Sequence, residues 1–191
     1  MNNPLFLFCG PSGSGKTTVA EELENKYGYK TVQSYTTRPR RYDEETGHIF
    51  ILDTEFDKLE NIIAYTKYDD HKYCTTKDQL DLATSYVVDI PGIETLLQNY
   101  NTERPIIIFY FDATVKIRIA RMIDRHDSDM EIVGRLFNDE EYDWYQKLDK
   151  IVWYYCNIIG KNVELYKIDA NRSKQDVVEL ILYYMKQYME D

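Results

Sequence analysis

Cysteine, histidine, proline and glycine are all scarce in this chain of 191 residues, which holds three, three, five and eight of them. Cys9, Cys74 and Cys156 are odd in number and far apart, so they argue against a disulfide framework or a cysteine-held zinc. They read as the reduced thiols of a cytoplasmic protein. His48, His71 and His126 share no ligand spacing either. No Gly/Ser/Pro-rich linker, low-complexity tract or repeat divides the chain, which predicts one domain over residues 1–191. Positive charge is also short: 23 Lys and Arg against 33 Asp and Glu leave a net charge of −10. Neither general nucleic-acid binding nor an anionic membrane surface suits that balance. No apolar run approaches spanning length, and the stretch before the first strand is too short and uncharged for a secretory signal. A soluble protein without a membrane partner is the expectation.

What is there begins with Gly10-Pro11-Ser12-Gly13-Ser14-Gly15-Lys16-Thr17, directly after the apolar run Leu5-Phe6-Leu7-Phe8-Cys9. It matches G-x-x-x-x-G-K-[ST] between a predicted buried strand and a predicted helix, the setting the motif needs. Successive backbone N–H groups of such a loop converge on an anion, and the helix start adds about half a positive charge. Ser12, Gly13, Ser14, Gly15, Lys16, Thr17 and Thr18 are therefore the expected ATP-binding residues. Lys16 is expected to act on the β- and γ-phosphates and the Thr17 hydroxyl to help hold Mg²⁺.

Strands and helices alternate along the rest of the chain. A helix is predicted over 18–27, ended by Gly28, then a short strand at Thr31-Val32-Gln33. Phe50-Ile51-Leu52 reads as a strand, with Asp53 or Thr54 capping a helix that carries Phe56 and Leu59. Two strands are expected at 62–65 and 73–76, a helix over 77–82 and a strand at 86–89 closed by Asp89. The clearest buried strand is 105–111. Thr114 to Arg125 reads as a helix with Val115, Ile119, Met122 and Ile123 as its apolar side. Another is expected from Glu131 toward Tyr145, a last strand over 163–169, and a closing helix capped by Ser173 with Asp176 three residues on. The pattern predicts a three-layer α/β/α P-loop fold with a central parallel sheet, ligands lying beyond the carboxyl ends of its strands. Tyr142, Trp144, Tyr145, Trp153, Tyr154 and Tyr155 lack interleaved Lys and Arg. They read as core or dimer packing rather than a base-stacking platform.

A second anion site distinguishes this chain from other P-loop proteins. Arg38 and Arg41, three apart in the densest basic cluster, can fork onto one acceptor phosphate, with Tyr73 adding a hydroxyl. Arg121 and Arg125, at i and i+4, and Arg135 beyond a polar loop form a candidate lid over the transferring group. The run Ser34-x-Thr36-Thr37-Arg38-x-x-Arg41-x-x-Glu44-x-x-Gly47 resembles the acceptor signature of guanylate kinase-like nucleoside monophosphate kinases. Ile62-Ile63-Ala64, Lys72-Tyr73-Cys74-Thr75-Thr76, Val88-Asp89-Ile90-Pro91-Gly92 and the Arg121, Arg125, Arg135 set continue it, so that it covers about residues 5–135.

The resemblance implies phosphoryl transfer from ATP to GMP or dGMP. It implies Ser34, Arg38, Arg41, Tyr73, Thr75 and Asp89 around the acceptor, and Lys16, Arg121, Arg125 and Arg135 as catalytic residues. Mg²⁺ would lie near Thr17 and Asp89, although Asp89 alone does not settle whether it serves metal or base. Asp169-Ala170-Asn171-Arg172-Ser173 is similar to the loop on which P-loop kinases stack the donor adenine, which nominates Asn171. The implied division is a core of about 1–33, 84–120 and 146–191, a small mixed monophosphate-binding subdomain of about 34–83, and a helical lid of about 121–145. Monomer and homodimer stay open.

Four positions depart from the family. Ala64 stands where a guanine-binding glutamate is usual, Val87 replaces the first of two acids, and Cys74 replaces a turn glycine. Phe50 or His48 stands near the place of a phosphate-binding tyrosine. Loss of a buried carboxylate predicts weaker discrimination for guanine. A kinase for another nucleotide or phosphorylated acceptor, or a non-catalytic binding module, are the alternatives.

Overall fold

The computed structural model describes residues 3–40, 43–68, 70–140 and 143–189. Strand β1 (Leu5–Cys9) is buried along its whole length, which is why its sequence is an unbroken apolar run rather than an alternation. The helix expected next starts at the lysine of the phosphate loop, as α1 (Lys16–Tyr27), and Gly28 ends it in the left-handed conformation. The strand expected at 31–33 shrinks to a single bridge between Thr31 and Ser85. Pairing resumes instead in β2 (Ser34–Thr36), followed by β3 (His48–Phe50) and the one-turn α2 (Asp53–Phe56). The antiparallel strands β4 (Ile62–Tyr68) and β5 (His71–Thr76) come next, then α3 (Lys77–Leu82).

After β6 (Ser85–Val87) comes a helix not expected from the sequence, α4 (Ile90–Asn99), whose N-cap is Asp89. Pro91 sits in its first turn, where no intrahelical donor is lost. The remaining elements are β7 (Ile106–Asp112), α5 (Val115–Asp124), α6 (Asp129–Glu140), α7 (Trp144–Tyr154), a π-helical turn over Tyr155–Ile159, β8 (Val163–Asp169) and α8 (Lys174–Met189). Ser173 and Asp176 form the expected cap of α8.

Among the described residues the strands form two four-stranded sheets. One is wholly parallel, in the order β6-β1-β7-β8; the other is mixed, in the order β3-β2-β5-β4. On the parallel sheet, Leu5, Leu7, Ile106 and Ile108 face α4 and α7, meeting Ile93, Leu96, Leu148 and Val152. Phe6, Phe8, Ile107 and Phe109 face α1 and α8, meeting Leu23, Val178 and Ile181. Each fully buried side chain of this kind contributes about 1.5–3 kcal/mol, so the two-faced sheet is the stable platform for its loops. The three-layer P-loop architecture with a small mixed subdomain is thus the one observed. Two details differ from the sequence reading. In α5, Val115 and Ile123 are exposed while Arg118 is buried. The helix expected over 131–145 is two, with Asp143 capping α7 afresh.

Candidate active site

The phosphate loop is moulded against the ends of β7 and α5. Gly10, at φ +144°, has Phe111 O 2.6 Å from where a Cβ would sit. Gly13, at φ +75°, has Arg118 O at 2.8 Å from the same construction. No side chain fits either place. Lys16 Nζ folds back on the loop and donates to Gly10 O at 2.6 Å, Pro11 O at 2.9 Å and Ser14 Oγ at 3.4 Å. Burial pulls the Lys16 pKa down to about 8, and Arg118 works in the same direction, against the nearby Asp139 and Asp89 carboxylates. Thr17 and Thr18 are exposed at the start of α1.

Two residues that the sequence reading passed over organise this loop. Buried Arg118 donates through Nε to Ser12 O at 2.8 Å and forms an ion pair with Asp139 of α6. Asp139 Oδ2 in turn accepts the Ser12 N–H at 3.0 Å, and burial pushes its carboxyl pKa up. The spacing carried a signal: Arg118 lies one turn before Arg121, and Asp139 one turn after Arg135.

The three lid arginines divide. Arg121 Nη1 donates to Ser14 O at 3.0 Å, and Nη2 to Ala170 O at 2.9 Å and Arg172 O at 3.3 Å, so this residue pins the phosphate loop instead of standing with Arg125. Arg125 reaches Asp127 through Nε at 2.8 Å and through Nη2. Arg135 Nε lies 3.5 Å from the same carboxylate, buried and without a hydrogen bond. Of the three, Arg135 lines the cavity described below.

On the acceptor side, Ser34 Oγ and His48 Nδ1 are 2.9 Å apart, across paired strands β2 and β3. Arg38 grips buried Glu45 with two bonds, Nη2–Oε1 at 2.7 Å and Nη1–Oε2 at 3.2 Å, while its Nε is buried without a partner. Tyr73 meets the His48 ring edge-on at 5.7 Å. Arg41 lies outside the described residues. Thr75 is fully buried and donates to Gln79 Oε1 at 2.9 Å, a bond that secures the start of α3 and keeps Thr75 out of the cavity. Ala64 belongs to the apolar core, so no side chain there can read a base.

Asn171 is likewise not in the cavity. Its amide oxygen accepts Thr114 N–H at 2.8 Å and its Nδ2 donates to Asp169 at 2.9 Å, tying the loop before α8 to the start of α5. Asp89 Oδ1 accepts Gly92 N–H at 2.8 Å as the cap of α4, burial raises its carboxyl pKa, and the residue still lines the cavity. Of the aromatic cluster, Trp144 lines the cavity and Tyr145 and Tyr155 pack on the core, whereas Trp153 and Tyr154 are exposed. Tyr142 lies outside the described residues.

These parts meet in one cavity of about 580 Å³, whose walls include Ser12 and Lys16 from the phosphate loop and Ser34, Arg38, Tyr73 and Asp89 from the other side. Strand β4 supplies a further wall, joined to α6 by Asn138 Nδ2 donating to the Tyr68 hydroxyl at 2.9 Å. Among the described residues no group of three or more His, Cys, Asp or Glu is arranged to hold a metal. Thr17 at the exposed start of α1 and Asp89 on the cavity wall are the residues that would hold a cation. Both side chains are hard oxygen donors, which is the fit Mg²⁺ requires. Lys16, Arg38 and Arg135 give the wall of this cavity its positive charge.

A family model described as "AAA domain" matches residues 5–74. Guanylate kinase from Thermotoga maritima is 32% identical in a match spanning 40% of each chain. Guanylate kinase from Coxiella burnetii is 26% identical over 92% of this chain and 91% of that protein. The crystal structure of guanylate kinase from Anaplasma phagocytophilum superposes with a TM-score of 0.52 at 18% identity, covering 97% of this chain and 85% of that one. The resemblance carried by the motifs is thus returned along nearly the whole chain, and the fold is that of a guanylate kinase-like P-loop protein. No described helix is long and apolar enough to cross a membrane.

Proposed function

We propose that this guanylate kinase-like chain transfers the γ-phosphoryl group of ATP to a nucleoside monophosphate, GMP or dGMP being the first candidates. The observation that carries the proposal is the shared cavity, with Lys16 and Ser12 on one wall and Ser34, Arg38 and Tyr73 on another. Phosphoryl transfer needs two phosphate-bearing substrates in line and positive charge where negative charge spreads. The triphosphate takes the loop amides, and Lys16 exchanges the Gly10 and Pro11 carbonyls for the β- and γ-phosphates. The acceptor phosphate replaces Glu45 on Arg38, beside Ser34 and Tyr73, with Arg41 joining them.

Arg135 lies on the cavity wall and stabilises the charge of the transferring group, with Arg125 brought to its side by the shared Asp127. Arg121 holds the loop that both substrates depend on. Thr17 and Asp89 would hold Mg²⁺, which would supply positive charge to the triphosphate. Segments 34–83 and 121–145 close on the core of 1–33, 84–120 and 146–191 and exclude water, which otherwise hydrolyses the triphosphate. The free thiols of Cys9, Cys74 and Cys156 suit the cytoplasm.

Ala64 favours a second reading, in which another ribo- or deoxyribonucleotide is accepted as well as the guanine nucleotides. Retention of Gly15, Lys16 and Thr17 weighs against a non-catalytic module. The test is ATP consumption across all common nucleoside monophosphates, with and without Mg²⁺. Mg²⁺-dependent turnover with less than about tenfold preference between bases is expected. No turnover with any of them would sink the kinase reading, and strict GMP dependence would remove the relaxed specificity.

A further inference from the structure

We propose that the end of α6 is a self-inhibitory clasp, seated on the phosphate loop and on β4 together, which a bound polyphosphate lifts from both. This rests on the kinase reading above in taking the phosphate loop to bind a polyphosphate, and it adds that one helix couples the two sides of the cavity. Asn138 and Asp139 are neighbours in the last turn of α6 and leave the helix about 100° apart, so they reach different walls. Asp139 Oδ2 accepts the Ser12 N–H at 3.0 Å and pairs with Arg118, whereas Asn138 Nδ2 donates to the Tyr68 hydroxyl at 2.9 Å. Ser12, Tyr68, Asn138 and Asp139 all line the same cavity, so the two contacts bridge it.

A backbone N–H is a single donor. A phosphate oxygen arriving at Ser12 meets the Asp139 carboxylate as a like charge, and the two cannot share that N–H. The carboxylate withdraws, and the residue beside it goes with it. The backbone there stays tethered, because Asp139 O accepts Trp144 Nε1 at 2.8 Å, and Trp144 begins α7, which packs on the central sheet. The helix end therefore turns about this bond. Strand β4 is built to respond, since it ends the strand order β3-β2-β5-β4. Its first half is tied to α4, with Tyr65 N–H donating to Thr95 Oγ1 at 2.9 Å and Asn99 Nδ2 to Ile63 O at 3.4 Å. Its last residues, Thr66 to Tyr68, run on along the cavity wall to the contact with Asn138. Release of Asn138 removes that support and opens the acceptor side, before the segments close over both substrates.

Tyr68→Phe keeps the ring and deletes the hydroxyl, and Asn138→Ala deletes the donor; a thermal melt checks that each variant is folded. The probe is inorganic tripolyphosphate with Mg²⁺, which carries neither base nor sugar. Calorimetry gives its affinity, and amide hydrogen exchange at residues 66–68 reports on the end of β4. The clasp favours the seated helix, so its loss is expected to raise tripolyphosphate affinity about threefold or more in both variants. Saturating tripolyphosphate is expected to speed exchange at 66–68 about threefold or more in the parent. In Tyr68→Phe that exchange starts fast and changes by less than about twofold. Affinity unchanged or weakened in both variants overturns the clasp and leaves the phosphate loop as a polyphosphate site. Exchange at 66–68 that slows in the parent does the same. A parent that binds no tripolyphosphate overturns the clasp and the kinase reading together.

Discussion

Asp139 Oδ2 accepts the backbone N–H of Ser12 at 3.0 Å, so a carboxylate of helix α6 rests on an amide of the phosphate loop while pairing with buried Arg118. On the proposed function a protein carboxylate holds a donor that a triphosphate would take, so nucleotide and side chain would compete for it. In Asp139→Asn the charge goes and Arg118 is left buried beside a neutral amide. Stability should fall by about 3–5 kcal/mol, as when one partner of a buried pair is removed. Affinity for ATP should rise several-fold, because Arg118 loses its counter-charge and a neutral amide oxygen holds the Ser12 N–H less strongly than a carboxylate does. Denaturant melts with and without ATP measure both, and an ATP affinity that does not change would separate Asp139 from the nucleotide site.

Lys16 should take up a proton when ATP binds. Its pKa of about 8 in the ligand-free chain lies below the ordinary 10.5, so above pH 8 the ammonium is largely lost. A polyphosphate restores it. Titration calorimetry in buffers of different ionisation enthalpy should show uptake approaching one proton near pH 9 and almost none at pH 6.5. The same shift sets the sign for stability. Between pH 8 and 10.5 the unfolded chain binds the extra proton, so the contribution of this residue rises with pH across that window and is unfavourable below it. Lys16→Met should abolish the proton uptake and lower turnover by orders of magnitude without unfolding the chain.

Arg38→Ala should act on the acceptor alone. Its guanidinium is bidentate on Glu45 and carries a buried, unpartnered Nε beside the cavity. Loss of a charge-assisted fork costs about tenfold or more in binding. The acceptor KM should rise by that factor while the KM for ATP stays within about twofold. Steady-state kinetics with each substrate varied decide it, and an unchanged acceptor KM would remove Arg38 from the site.

Gly13→Ala should damage nucleotide binding through the backbone. The added methyl would meet Arg118 O at 2.8 Å in a residue held at φ +75°. Strain of about 1–3 kcal/mol is expected, released by displacing the loop. A thermal melt and an ATP titration should both show it, and wild-type affinity would mean that the loop has room to spare.

The phosphate loop was legible because every member of its pattern is local: strand, turn and helix follow one another within 23 residues, Leu5 to Tyr27. The doubly buried strands were legible for the same reason, their apolar runs being too short for helices. What sequence could not show lies in pairings made at a distance. Arg118 lies in a helix whose apolar side, by spacing, was Val115, Ile119, Met122 and Ile123, and nothing in that pattern singled it out. It is buried because Asp139, on another helix, neutralises it. Asp89 read as the end of a strand beside helix breakers, yet it caps α4, with Pro91 tolerated in the first turn. Thr75, Arg121 and Asn171 matched a pattern in spacing, but each spends its polar atoms on neighbouring backbone or side chain.

The 2.6 Å gap between the missing Cβ of Gly10 and Phe111 O has a consequence for how this protein tolerates change. The nucleotide cradle takes its outline from the rim of the central strand, as a casting takes the outline of its die. Interior and reactive surface are therefore not separable parts. An enlarged side chain in the aromatic layer beneath Phe111 would be transmitted to the anion cradle even though it touched no ligand. Catalytic losses in such variants would be expected well before the fold itself gave way.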